Sequence, residues 1–126
     1  MLRVGGFVDP LKPEGQAELS KNLQIATAAV DAAGLCVFIA FAVLDIASGL
    51  EAIPQMLNAQ YGWNLTLDDV TEYGKQILRT EKEFNQAAGF TSSNDRLPAF
   101  FTEEPLPPHN VVFDVTNEEL DQVYDL

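Results

Sequence analysis

Residues 66–88 read TLDDVTEYGKQILRTEKEFNQAA, and Gly89 follows. Thr66 has the chemistry of a helix N-cap, and Asp69, three residues on, sits where the acid of a capping box belongs. Asp68 and Asp69 also complement the positive end of a helix dipole. Leu67, Val70, Tyr73, Ile77, Phe84 and Ala88 recur at helical spacing and predict the core stripe. Gly89 is suited to the residue just past a helix end. This stretch sets the fold class, because nothing on either side supplies a strand–helix–strand rhythm to compete with it.

Working upstream, Pro54 to Tyr61 predicts a short helix, with Pro54 at its first position and Gly62 after its end. Cys36 to Ala47 is apolar on every side, so periodicity does not separate helix from strand. Its length and alanine content favour a buried helix, broken at Ser48-Gly49. Before it, residues 14–33 are helical in pattern, with Leu19, Leu23, Ala26 and Val30 on one face and Gly34 as the stop. Residues 1–13 hold Gly5, Gly6, Pro10 and Pro13 and read as an irregular lead-in.

Downstream the chain changes character. Thr91 to Asn94 is turn-like, and Pro98, Pro105, Pro107 and Pro108 make residues 97–108 extended or loop. Val111 to Val115 reads as a short strand or an ordered extended segment. Thr116 and Glu119 repeat the capping-box pattern and begin a last short helix reaching about Tyr124. The expected architecture is all-α. Residues 14–126 form a helical domain, with helices over 14–90, a Pro-rich extended segment over 91–115 and a short terminal helix over 116–126.

Charge and cysteine content narrow the function. The formal net charge is −12, from 19 acidic and 7 basic residues. Such a field repels phosphate backbones and anionic lipid head groups, so nucleic acid and membrane surfaces are excluded as expected partners. The longest apolar run, Ala32 to Leu44, is thirteen residues; a membrane-spanning helix needs roughly 17–25. No secretory signal is visible. The one cysteine, Cys36, cannot form an internal disulfide and fits a reducing, cytoplasmic compartment.

One segment carries chemistry: Asp31-Ala32-Ala33-Gly34-Leu35-Cys36. It places a carboxylate, a glycine and a thiol at the junction between two helices. Asp31 has only apolar neighbours, and a buried carboxylate there needs donors, either orphan N–H groups of the next helix or the amino group of a bound heterocycle. Gly34 permits a turn or the close approach of a ligand. Cys36 near the positive end of a helix would favour a thiolate and metal ligation. By themselves the residues also allow simpler readings, Asp31 as a helix cap and Cys36 as a small buried hydrophobe. His109 reads as a solvated loop residue, Trp63 as a core aromatic, and Phe100-Phe101 as a patch that packs on a neighbouring domain.

Asp31-x-x-Gly34-Leu35-Cys36 resembles the D-x-x-G-L-C motif of the tungsten-containing aldehyde:ferredoxin oxidoreductase family. Further blocks resemble that family in the same order. They are Gly62-Trp63-Asn64-Leu65-Thr66, Gly74 through Glu81-Lys82-Glu83-Phe84-Asn85, Gly89-Phe90, Asp95-Arg96-Leu97-Pro98, Glu104-Pro105-Leu106-Pro107, and Glu119-Leu120-Asp121 with Tyr124. Together they cover roughly residues 15–125. There are departures: Lys75-Gln76 stand where Glu-Arg is usual, Thr80 replaces Leu, Lys82 replaces Arg, and Gln86-Ala87-Ala88 replaces an Arg-containing stretch. Arginine and lysine are not interchangeable, so ion pairs differ.

The resemblance implies a C-terminal part of a catalytic subunit that oxidises aldehydes to carboxylic acids with ferredoxin as acceptor. It implies that Asp31 contacts one pterin of a tungsten bis-pyranopterin, with Gly34 and Leu35 in the same cofactor-binding motif, and that Cys36 is one of four ligands to a [4Fe–4S] cluster. The other three cysteines, the first pterin motif and the substrate-flanking residues lie upstream in the family. The isolated chain is therefore expected to bind no cofactor and to catalyse nothing, and its exposed apolar surface invites self-association. Two other readings share these residues: an orphan interaction domain derived from the family, and a related tungsten enzyme such as an aromatic acyl-CoA reductase.

Overall fold

The structure, a computed structural model, describes residues 8–39, 42–43 and 46–126. Among these it is all-α. The principal helices are α1 (Gln16–Ala32), α2 (Ala47–Tyr61) and α3 (Leu67–Ala87), followed by the short α4 (Phe100–Glu103) and α5 (Asn117–Asp121). Of the expected lead-in at residues 1–13, residues 1–7 lie outside the described residues.

The start of α3 follows the local chemistry. Asp69 N–H donates to Thr66 Oγ1 at 3.3 Å, and Thr66 N–H donates to the Asp69 carboxylate at 2.8 Å. The Thr66 hydroxyl also donates to the Asp69 carboxylate at 2.7 Å, and this bond first, then the one from the Thr66 N–H, holds the Asp69 carboxyl below its ordinary pKa. The buried face differs from the predicted stripe. Val70 and Gly74 are buried and Leu78 packs on the core, whereas Tyr73, Phe84 and Ala88 are exposed, Phe84 by 74 %. The reason is Gly74. A Cβ there would stand 2.3 Å from the Ile25 carbonyl oxygen of α1 and 3.2 Å from Ala29 Cβ. α3 meets the backbone of α1 at a residue without a side chain, and with Gly74 on the packed face Tyr73 beside it points outward.

α1 runs antiparallel to α3, pairing Ile25 with Gly74 and Val30 with Val70. Ile25, Ala26, Ala29 and Val30 are its buried residues. Leu23, expected on this face, is exposed, while Leu19 is half-buried.

α2 corrects two expectations. Ser48-Gly49 does not break the chain but lies within the helix, and Pro54 sits in its interior rather than at its start. An interior proline costs about 3 kcal/mol through a lost hydrogen bond and a clash with the preceding turn. Burial offsets it: Ile53 is the most deeply buried large side chain, and Leu50 and Leu57 pack beside it. The expected buried helix before α2 is also corrected. Ile39, Ala42 and Val43 have helical backbone, but Val37, Phe38 and Ile39 are exposed, Phe38 by 79 %, and of the described residues in this segment beyond Leu35 only Val43 packs on the core. Ala40, Phe41, Leu44 and Asp45 lie outside the described residues.

Residues 91–115 contain no buried residue among them. They are not uniformly extended: a 3-10 turn forms at Ser92–Asn94, α4 interrupts the proline-rich run, and Leu106 and Val111 form an isolated antiparallel bridge. Thr116 and Glu119 then make a reciprocal capping box and α5 begins. The last residues fold back on the helices. Val123 is buried and Leu126 packs on Ile25 and Ala26. Cations fasten this return: Arg96 grips Asp121 at 2.9 and 3.1 Å, Arg79 donates to the Leu126 carbonyl at 2.6 Å, and Lys21 donates to the Asp125 carbonyl. Lys82 stands 3.9 Å from the centroid of the Tyr124 ring.

Candidate functional site

The Asp31–Cys36 segment is a helix-ending corner. Gly34 has φ 77°, in the left-handed region that an L side chain enters at a cost. Gly34 N–H donates to the Asp31 carbonyl at 3.0 Å, and Leu35 N–H donates to the Val30 carbonyl at 3.1 Å. This pair of bonds is a Schellman motif, which satisfies carbonyls that a helix end otherwise leaves orphaned. Among the described residues, its two chain neighbours aside, no atom lies within 4 Å of where a Gly34 Cβ would be, so the backbone angle calls for glycine.

The corner sorts its side chains by chemistry. Leu35 turns inward onto the core cluster of Ala29, Val30, Ile53 and Val70. Asp31 and Cys36 are exposed, and Cys36 is a free thiol. The expectation of a buried Asp31 is thus corrected: it stands in the last turn of α1, outside the Ile25–Val30 face that packs on α3. Among the described residues none donates a hydrogen bond to its carboxylate. Cys36 is not a buried small hydrophobe either. Its carbonyl accepts the Ile39 N–H at 2.9 Å, so a new turn begins directly after the thiol.

Open grooves flank the corner. On one side Asp31 lines a shallow groove of about 560 Å³ with Gln24, Thr27, Leu78 and Glu81. On the other, Ala32 and Ala33 border a groove of about 970 Å³ that contains Tyr61, Trp63 and Tyr73. Trp63 is an exposed aromatic here rather than a core one, stacked on Tyr61 with ring centroids 4.6 Å apart. Asn58 holds their loop by clamping Leu65, donating to its carbonyl at 2.9 Å and accepting its N–H at 2.7 Å. The stacking and the clamp carry no signal in hydropathy. His109 is exposed, and Phe100 and Phe101 stack on one another at 4.3 Å. Among the described residues no group of three or more His, Cys, Asp or Glu side chains could hold a metal ion.

The family model for aldehyde ferredoxin oxidoreductase, domains 2 and 3, matches residues 3–126. The chain belongs to the aldehyde ferredoxin oxidoreductase family. It is 41% identical over 85 residues to a tungsten-containing aldehyde ferredoxin oxidoreductase of Pyrococcus horikoshii, and 39% identical over 85 residues to proteins of that name from Pyrococcus furiosus and Thermococcus kodakarensis. Each alignment covers 67% of this chain and 13% of the relative. No solved structure matches. The all-α architecture is thus that of an aldehyde ferredoxin oxidoreductase C-terminal region, and the Asp31–Cys36 corner falls within the matched residues.

Proposed function

We propose that this chain forms one wall of the tungstopterin site of an aldehyde-oxidising, ferredoxin-linked oxidoreductase. The observation that carries the reading is the corner itself, which presents an exposed carboxylate, without a hydrogen-bond donor among the described residues, and a free thiol, five residues apart, on a backbone pinned to the core.

The donor set fits a partial site. A [4Fe–4S] cluster takes four thiolates, and this chain has one cysteine. Cys36 would supply one ligand, and upstream parts of the same enzyme the other three. An ionised Asp31 is acceptor-only and suits the amino group of a pterin, whose orientation it would fix. Gly34 leaves the approach to the corner open. When bound, the tungstopterin supplies the two-electron oxidation of an aldehyde, with water, to a carboxylic acid, releasing two protons. Ferredoxin is the acceptor we assign. The protein's share is to position the cofactor and tune its electronics.

Alone, the chain has no complete site, and we expect it to hold neither iron nor tungsten and to show no activity. Exposed Val37, Phe38, Ile39 and Ile46 give it an apolar surface for upstream domains, or for a second copy in their absence. None of the described helices is long and apolar enough to cross a membrane. The exposed free thiol of Cys36 suits a reducing compartment, and we assign the chain to the cytoplasm on that ground. Iron and tungsten analysis of the purified 126-residue chain tests the partial-site reading. We expect sub-stoichiometric metal and no visible absorption; stoichiometric metal with a cluster chromophore would contradict it.

A further inference from the structure

We infer that Leu35 is a positioning residue for the two groups on either side of it, fixing the separation and direction of the Asp31 carboxylate and the Cys36 thiol before any cofactor arrives. The inference rests on the proposed roles of Asp31 and Cys36 and adds the physical device that makes them act as a pair.

Three observations carry it. The Leu35 N–H closes the six-residue ring to the Val30 carbonyl at 3.1 Å, so its backbone is tied to the last turn of α1, the turn that bears Asp31. Its side chain packs on a cluster contributed by three helices: Ala29 and Val30 of α1, Ile53 of α2 and Val70 of α3. Asp31 and Cys36, by contrast, are exposed, and nothing among the described residues holds either side chain in place. The corner is therefore fixed at its middle by Leu35. A contact that anchors a backbone to packed elements pre-organises the groups beside it, so less ordering cost falls on the binding step. Gly34 makes the turn sterically cheap, but it has no side chain to pack on the cluster that Leu35 reaches.

The test has two readouts. In the 126-residue chain, hydrogen exchange follows the Leu35 amide beside those of Ala29 and Val30 inside α1. Leu35→Ala should speed exchange at Leu35 about tenfold or more while the α1 amides change much less, because the corner opens locally. Leu35→Met, which keeps volume, should restore most of the protection. In the complete enzyme, Leu35→Ala should broaden or shift the cluster's electron paramagnetic resonance signal at unchanged iron content, and Leu35→Met should return it. Equal loss of protection along α1 would reduce Leu35 to an ordinary core residue and overturn the inference. So would an unperturbed Leu35 amide, or an unchanged cluster signal in Leu35→Ala. If Leu35→Ala fails to fold, the milder Leu35→Val, read in the same way, decides. The underlying reading fails separately: a Cys36→Ala enzyme with an intact four-iron cluster would remove the role of Cys36, whatever the exchange rates at Leu35.

Discussion

Two corners of this molecule share a sequence pattern and differ in everything built on it. Ala32-Ala33-Gly34-Leu35 ends α1, and Ala87-Ala88-Gly89-Phe90 ends α3. Both glycines are left-handed, at φ 77° and 93°. Both corners close with the same pair of bonds: Gly34 to Asp31 and Leu35 to Val30, Gly89 to Gln86 and Phe90 to Asn85, all between 3.0 and 3.1 Å. Leu35 is half-buried and packs on the core cluster, while Phe90 is 55 % exposed. Where the first corner carries Asp31 and Cys36, the second carries Gln86 and Thr91. Local sequence makes the turn; tertiary packing decides whether the turn is a rigid platform; the residues at its two edges decide whether the platform has chemistry.

The largest way to disturb this contrast is to remove the seat on which the first corner rests. Gly74→Ala pushes a Cβ into the Ile25 carbonyl, at 2.3 Å without relaxation, and should cost about 3 kcal/mol in chemical denaturation through overpacking. Leu35→Ala should cost about 1.5 kcal/mol at its corner, read as local exchange and below the usual cost of a large-to-small change in a core because the side chain is half-buried. Next come the paired changes Gly34→Ala and Gly89→Ala, each about 1 kcal/mol because each strains the same backbone angle. Near-equality of those two would show that the turns are locally equivalent. Phe90→Ala should change stability by less than about 0.5 kcal/mol, as for an exposed side chain. A cost like that of Leu35→Ala would erase the contrast.

Acid gives the smallest effect and separates helix starts from helix ends. The capping-box carboxylates Asp69 and Glu119 are held below their ordinary pKa by bonds from Thr66 and Thr116. A depressed folded pKa contributes stability above the unfolded value and loses it as pH falls through the folded one. Circular dichroism should therefore show slight fraying of α3 and α5 below about pH 4. Exchange at Leu35 and Phe90 should not follow it, because their corners are closed by backbone groups alone.

The same division explains what could be read from residues alone. Thr66 with Asp69, Thr116 with Glu119, and the glycine stops at 34, 62 and 89 are short-range devices, and all appear where their chemistry places them. The helical class and the family resemblance were legible as well. What was not legible depends on distant partners. A close contact between α1 and α3 falls on Gly74, a residue that hydropathy counts ignore. Pro54 is tolerated inside α2 because Ile53 is buried against other helices. The return of the C-terminal segment relies on Arg79, Lys82 and Arg96 reaching residues 25 to 47 positions away or, in the pair of Lys82 with Tyr124, across to an aromatic ring. At the candidate site, Asp31, Gly34 and Cys36 stood out as residue types. The exposure of Asp31 and the anchoring of Leu35 did not, because both follow from which face of α1 meets α3.

The central claim is that the corner supplies a single thiolate from Cys36 to a cluster completed by upstream residues. Its most direct test is iron quantitation, with electron paramagnetic resonance, on the complete enzyme carrying Cys36→Ala, against the unaltered enzyme. The account predicts loss of the intact four-iron signal and a reduced iron content, with the helical fold retained. A full complement of iron with an unchanged signal would contradict it.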